Sequence, residues 1–467
     1  MSGGLNAPPR GVTGPIPREL FHLALPVLGS QLLRVGYQWV DALWVRGLGV
    51  EATAAVTTSM FVMWTLYSLA DVFGVGVSAY VSQLLGAGDR RRAGLAAWKG
   101  VRATAALGLG CGVLGVFGAR HVYELMHAPP AVIDNGARYL SIVAGLAVLP
   151  MTASTCDIIT RAAGNTRLPL VIDVCAIALN AALDPFLIYG WGPFPRLGLA
   201  GAAWATVFAQ AVSVACYVVL AARRHPAFPL ARSAPGPAVR VMQLARVGLP
   251  SALIGMMFSL VYVAFSRSAA RFGAASLAVV GIANRIEAIQ FVVGMSIGTA
   301  AGTLVGQNLG ARRPERAVQA IRTGLVWCGW VSIALTALML WHPEWFVRLF
   351  TRDAEAIRIG IPYLRILATC LIAVGAEIVT AEAILGSGHT RAMSIIYNTV
   401  SLIRIPLAFW VPNCMGNGAL GIAWLITITC NVRTAIIVAW AMRGTWKRGL
   451  ARELHEPPVV SGPDAPA

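Results

Sequence analysis

The feature that most limits what this chain can fold into is its series of long stretches, each of about 20 residues or more, with few or no charges. Only 12% of the 467 residues are charged and 57% are hydrophobic, whereas a soluble chain carries roughly 25% charged residues. A helix crosses a bilayer in ~20 residues, while a transmembrane barrel would show ~10-residue alternating segments, and no such alternation occurs. Hydropathy and charge together predict twelve spans: 19–44, 55–85, 94–118, 139–160, 168–190, 198–221, 247–270, 276–308, 317–341, 359–385, 392–412 and 418–442. The expected fold class is therefore an all-α integral membrane protein with twelve transmembrane helices.

A net charge of +17 would suggest nucleic acid as a partner in a soluble protein. Here the basic residues lie between apolar spans: 23 Lys and Arg fall on the side of both termini, 10 on the opposite side, and four within spans. The positive-inside rule then predicts both termini in the cytoplasm, a multi-pass inner-membrane location and no nucleic-acid partner. The first 18 residues are polar and the first span is too long for a signal-peptide core, so no cleavage is expected. Eight cysteines, mostly inside spans and without a CxxC pair, suggest packing residues rather than zinc ligands or disulfides.

The sequence repeats itself at an offset of 224. Gln83-Leu84-Leu85-Gly86-Ala87 matches Gln307-Asn308-Leu309-Gly310-Ala311, and Leu25-Pro26 matches Leu249-Pro250. Gly164-Asn165-Thr166-Arg167 matches Gly388-His389-Thr390-Arg391, and, four residues short of that offset, Gly198 to Trp204 matches Gly418 to Trp424. Six spans per half is an even number, so both halves insert the same way and form a parallel repeat. The expected organisation is a cytoplasmic segment 1–18, a six-helix lobe 19–222, a Pro-rich cytoplasmic linker 223–246, a second lobe 247–445 and a tail 446–467, disordered from about Glu453. Duplicated lobes suit a carrier in which one moves against the other; an enzyme or a channel has no need of them.

Several stretches resemble the multidrug and toxic compound extrusion (MATE) family. They are Leu25-Pro26 with Val40-Asp41-Ala42-Leu43-Trp44, the paired Gln-x-Leu-Gly-Ala turns, Arg161-Ala162-Ala163-Gly164-Asn165, and Asn180-Ala181-Ala182-Leu183-Asp184-Pro185. The resemblance spans about residues 20–445 and implies a V-shaped pair of bundles around a central cavity. Some of these motifs also occur in lipid and polysaccharide flippases of the same superfamily.

Intramembrane charges are functional candidates because burying them is costly. Tyr37 and Asp41 share a face of the first span, and Ser154, Asp157 and Arg161 one of the fourth. Asp173, Asn180 and Asp184 share one of the fifth. These first-lobe faces are expected to converge on a cation site, with Na⁺ held by oxygens of Asp41, Asp157, Asn180 and Asp184, or H⁺ on a carboxylate. The set resembles the first-lobe ion site of the DinF-like branch at Asp41, Asn180 and Asp184. The second lobe does not repeat it, since Asp41 falls opposite Phe265 and Asn180 opposite Arg404. Glu377 and Glu382 are possible second-lobe contacts; Asp71 could pair with Arg34, and Glu287 with Arg285.

No P-loop or HExxH motif is present, and Gly294-Met295-Ser296-Ile297-Gly298 lies inside the eighth apolar span rather than at the strand-to-helix turn of a nucleophile elbow, so neither an ATPase nor a hydrolase is indicated. The reading is a secondary exporter of small cationic or amphipathic compounds, coupled to H⁺ or Na⁺ antiport, embedded in the lipid bilayer as a monomer, without cofactor or enzymatic activity. The alternative, a flippase for a lipid-linked oligosaccharide or other lipid, would need a basic cavity, which Arg34, Arg285, Arg404 and Arg433 could line.

Overall fold

A computed structural model describes residues 9–125, 129–415 and 418–450, with the side chains of three of these left aside; the tail from Glu453 lies outside them. The described residues form sixteen α-helices. The first half holds α1 (Arg10–Thr13), α2 (Ile16–Arg46), α3 (Val50–Gly86), α4 (Arg90–Leu125), α5 (Pro130–Gly145), α6 (Val148–Ala162), α7 (Arg167–Tyr189) and α8 (Leu199–Ala222). The second holds α9 (Val241–Ala270), α10 (Ala274–Gly310), α11 (Pro314–Trp341), α12 (Pro343–Phe350), α13 (Ala354–Ala368), α14 (Leu371–Ser387), α15 (Thr390–Cys414) and α16 (Ala419–Met442).

Nine of these are long and apolar enough to cross a membrane, and two bent pairs, α5 with α6 and α13 with α14, make eleven. The twelfth is α2, a continuous 31-residue helix whose apolar run is diluted by Gln31, Arg34 and Asp41. The twelve-helix expectation holds, with two differences.

The fourth and tenth spans are each broken, by 46° and 50°. Pro150, in the first turn of α6, has no N–H to give the carbonyl of Leu146, which helps explain the first break. The second break contains no proline; neighbouring helices satisfy its carbonyls instead. Thr336 donates to Ala368 O (3.2 Å) and Thr427 to Ile366 O (3.2 Å), as a membrane-embedded break requires. In addition, α12 is an unanticipated short helix with apolar Val347 fully buried against the second lobe.

Two lobes, α2–α8 and α9–α16, meet through α2 and α3 on one side and α9 and α10 on the other. Ile16, Leu20, Leu23 and Ala24 of α2 share a core with Ile297, Ala300, Ala301 and Leu304 of α10. Three glycines let helices touch backbone to backbone: a Cβ on Gly76 would strike Leu244, one on Gly248 the carbonyls of Asp71 and Val72, and one on Gly86 the carbonyl of Gln307. All these contacts lie in the half of the bundle that bears both described chain ends. Farther along the helices, Trp39, Leu43 and Trp64 of the first lobe and Phe258 and Phe291 of the second are exposed. The lobes form a V whose closed end carries both described chain ends.

The segment read as a linker lies against the first lobe, and its last residues already belong to α9. Lys99 donates to Val239 O (2.9 Å), Arg92 to Pro235 O (3.2 Å), and Arg90 to Pro226 O. The N-terminal residues are held by the second lobe in the same manner: Asn308 donates to Gly11 O (2.9 Å), Arg313 to Val12 O (3.1 Å) and Arg316 to Gly11 O (3.5 Å). Arg92 and Arg316 stand 224 residues apart, as do Gly11 and Pro235, so the repeat extends into the segments preceding α2 and α9.

Candidate functional site

The structure divides the predicted first-lobe site residues into two groups about two helical turns apart along α2, since Arg34 and Asp41 are seven residues apart and each residue rises 1.5 Å.

The group nearer the closed end is ionic and internally paired, with Arg161 Nε its one buried nitrogen left without a partner. Asp157 Oδ2 accepts from Arg161 (2.6 Å) and Arg34 (3.1 Å), while its Oδ1 accepts from the Tyr217 hydroxyl (2.7 Å). Asp173 lies 3.5 Å from Arg34 and 3.9 Å from Arg161. Two carboxylates and two guanidiniums thus neutralise one another, which corrects the assignment of Asp157 and Asp173 to an open cation site. Asp71, which could have paired with Arg34, does not, since that guanidinium goes to Asp157 and Asp173. Ser154 is half-buried on the same helix as Asp157.

The other group is of a different kind. Asn180 (1% exposed) and Asp184 (0%) are buried on α7 and face Tyr37 and Asp41 of α2. The Thr206 hydroxyl on α8 donates to its own helix at Ala202 O (3.0 Å), so its oxygen is left to accept. It accepts from Tyr37 (3.2 Å) and from Asn180 Nδ2 (3.5 Å). That fixes the amide with its nitrogen toward α8 and leaves Asn180 Oδ1 without a donor. Asp41 Oδ1 and both oxygens of Asp184 are likewise buried with no hydrogen-bond partner. Pro185 lacks the N–H that would bond the carbonyl of Ala181, one turn back. Tyr139 of α5, itself 7% exposed, is a further neighbour of both acids.

Four buried acceptor oxygens and no donor is an arrangement that water-free protein does not tolerate as it stands. A buried polar atom without a partner costs roughly 1–3 kcal/mol, and an unpaired carboxylate more. The cost is relieved by a proton on a carboxyl or by a cation among the oxygens. Oxygen-only ligation suits a hard ion. Among the described residues no group of three or more His, Cys, Asp or Glu could hold a metal ion by itself.

At the equivalent place in the second lobe, Phe265 and Ala408 replace Asp41 and Asp184 and are buried. Arg404 replaces Asn180 and donates to Thr429 (2.7 Å) and Cys430 (3.1 Å). The other second-lobe acids are variously engaged. Glu377 pairs with Arg433 of α16 at 2.7 Å. Glu287 accepts from Tyr262 (3.2 Å), while Arg285 lies over the Phe350 ring at 5.2 Å, so the expected Glu287–Arg285 pair is absent. Glu382 and Asp71, half-buried on opposite lobes, are electrostatic neighbours and form no ion pair among the described residues. Sequence reasoning missed Thr206 and Tyr139, which have no charge or motif to mark them; Thr206 does fall on α8's polar face with Gln210, one turn on.

The family model for MatE matches residues 26–186 and 250–410, two segments offset by the same 224 residues as the internal repeat. Over 426 residues the chain is 27% identical to the FAD transporter of Shewanella oneidensis, covering 90% of this chain and 92% of that protein. It is 29% identical over 426 residues to the probable multidrug resistance protein NorM of Bradyrhizobium diazoefficiens, with 87% and 89% covered. Among solved structures, an outward-facing multidrug resistance MATE transporter of the MOP superfamily superposes with a TM-score of 0.86 at 22% identity, covering 96% of this chain and 99% of that one. A MOP superfamily transporter from Pyrococcus furiosus described by the reverse polarity of its binding pocket gives 0.85 at 22% identity and the same coverage.

Proposed function

The chain belongs to the MatE family of multidrug efflux transporters, and from that premise we propose that it exports small cationic or amphipathic compounds in exchange for H⁺ or Na⁺ bound at Asp41, Asn180 and Asp184. The observation that carries the reading is the set of four orphaned oxygens on Asp41, Asn180 and Asp184. Such a site stays empty only at a cost, so cation occupancy is coupled to the geometry that gathers α2, α7 and α8.

The excess of Lys and Arg on the side of the termini supports an orientation with both termini, and so the closed end of the V, in the cytoplasm. The cleft then opens outward. A cation from outside binds the first-lobe acids and favours one arrangement of the lobes, and substrate leaves in exchange. Asp71 and Glu382, facing each other from opposite lobes, would receive the positive charge of a substrate. A flippase reading is less favoured, because its basic residues are committed elsewhere: Arg34 to Asp157 and Asp173, Arg433 to Glu377, Arg404 to Thr429 and Cys430, and Arg285 to the Phe350 ring.

The deciding experiment is efflux of a fluorescent lipophilic cation from proteoliposomes under separately imposed Na⁺ and pH gradients, with FAD as a second cargo. The intact protein is expected to drive efflux under one gradient and Asp41→Asn under neither. Absence of cation efflux under both gradients, with FAD or a lipid moved instead, would overturn the proposed substrate class.

A further inference from the structure

We propose that Gln83 and Gln307 are a twin latch: positioning residues that hold the lobes together at the closed end of the V and release together when access alternates. The proposal deepens the carrier reading above and rests on it only for the claim that the lobes move.

The two glutamines are buried, 0% and 1% exposed, at the far ends of α3 and α10. Gln83 Nε2 donates across the lobe boundary to Gly386 O (3.2 Å) and Ser387 O (3.1 Å), the last residues of α14. Gln307 Nε2 donates in the other direction to Ala162 O (3.1 Å), the last residue of α6. Donors and acceptors both obey the internal repeat, since Gln83 and Gln307, like Ala162 and Gly386, are 224 residues apart. Each lobe therefore reaches into the other with the same side chain and grips the same part of the fold.

The acceptors explain why a latch works there. The last carbonyls of a helix have no partner within it. At the closed end water is excluded from them, and an amide of the opposite lobe takes its place. Once the lobes part, water can satisfy both amide and carbonyls, so the exchange is nearly balanced. A cavity of about 340 Å³, lined in part by Gly11, His22, Asn165 and Gln307, already reaches one side of the latch. The backbones can approach because Gly86 and Gly310 leave no Cβ to strike the carbonyls of Gln307 and Gln83.

One half of the latch is tied to the ionic cluster. The Thr303 hydroxyl lies between Thr299 O of its own helix (3.2 Å) and Arg161 O (3.4 Å), one residue before the carbonyl held by Gln307, and Arg161 is the partner of Asp157, which Arg34 of α2 also grips. A displacement of α2 at Asp41 would reach α6 by that path and Gln307 through the end of α6.

The test uses the full chain in lipid nanodiscs, its native cysteines replaced, with spin labels at Arg91→Cys and Glu315→Cys. Both positions are exposed, on opposite lobes, beside the latch. Pulsed electron resonance is expected to show a short distance in the parent and, in Gln83→Ala/Gln307→Ala, a longer-distance population raised roughly five-fold for each latch removed. An unchanged distribution in a folded double variant would overturn the proposal. This readout requires no transport, so failure of cation coupling would leave it standing. Should the double variant not fold, Ser82→Cys/Gly306→Cys keeps both glutamines. A Cβ built at Gly306 lies 2.8 Å from that of Ser82, closer than the ~3.5–4.5 Å of a disulfide, so the pair cross-links once the two helices part by about 1 Å. Oxidation is expected to stop efflux and a reductant to restore it; efflux undiminished by a complete cross-link would refute the latch.

Discussion

Arg34 on α2 holds Asp157 on α6 at 3.1 Å and Asp173 on α7 at 3.5 Å, joining three helices of the first lobe through one guanidinium. Its side chain is 44% exposed, so part of the attraction is screened. Arg34→Met leaves Asp157 with Arg161 and Tyr217 but takes from Asp173 its nearest base. The expected cost is about 1–2 kcal/mol, below the 3–5 kcal/mol typical of a fully buried pair. A thermal-unfolding series in detergent checks this, with Asp173→Asn in the Arg34→Met background recovering part of the loss.

Asp184→Asn has the opposite sign. Its two oxygens are buried without donors, so replacing the acid removes a buried group that needs a cation to be stable. The variant is expected to unfold at the same temperature or higher, to lose gradient-driven efflux, and to lose any stabilisation by added Na⁺. A drop of several kcal/mol would mean that the carboxylate is structural.

If Na⁺ is the coupling ion, protons compete for the same oxygens. Apparent Na⁺ affinity should then weaken as pH falls, because a protonated carboxyl no longer attracts the ion, and recover as pH rises. Sodium-dependent thermal shifts measured across pH would show the trend, and an affinity independent of pH would count against Asp41 and Asp184 as ligands.

Thr206→Val keeps the shape of the side chain but removes the oxygen that receives Tyr37 and Asn180. The Asn180 amide is then free to turn. An approximately tenfold loss of apparent cation affinity is expected, corresponding to about 1.4 kcal/mol. Transport titrations would detect it, with thermal stability serving as the control.

Glu377 and Glu382, five residues apart on α14, should separate structure from function. Glu377→Gln strands the buried Arg433 guanidinium and should cost about 3 kcal/mol or more while leaving the choice of coupling ion unchanged. Glu382→Gln breaks no ion pair and should weaken cationic substrates with little effect on unfolding. Thermal melts and substrate titrations of the two variants provide the comparison.

Much of this architecture was legible in the sequence because a bilayer imposes a crude, length-based code, and a duplicated chain states its own symmetry. Tyr37 with Asp41 and Asn180 with Asp184 were found because a spacing of four puts side chains on one helix face. The separation of Asp157 and Asp173 from that site was not legible, since it depends on how far along α2 Arg34 lies relative to two other helices. Nor were the second break, where Thr336 and Thr427 from other helices donate to its carbonyls, or the reach of Arg433 to Glu377 from a different helix. Pairwise tertiary placement decides these features, and a single chain read in order carries no mark of it.

The matching way in which Arg92 holds Pro235 and Arg316 holds Gly11 bears on how such a chain can be cut. The stretch joining the halves occupies, on the first lobe, the position that Gly11 and Val12 occupy on the second, each held by arginines that donate to its carbonyls. Two polypeptides divided between the exposed residues Arg232 and Ser233 should find each other and assemble as the uncut chain does, a heterodimer held by α2, α3, α9 and α10.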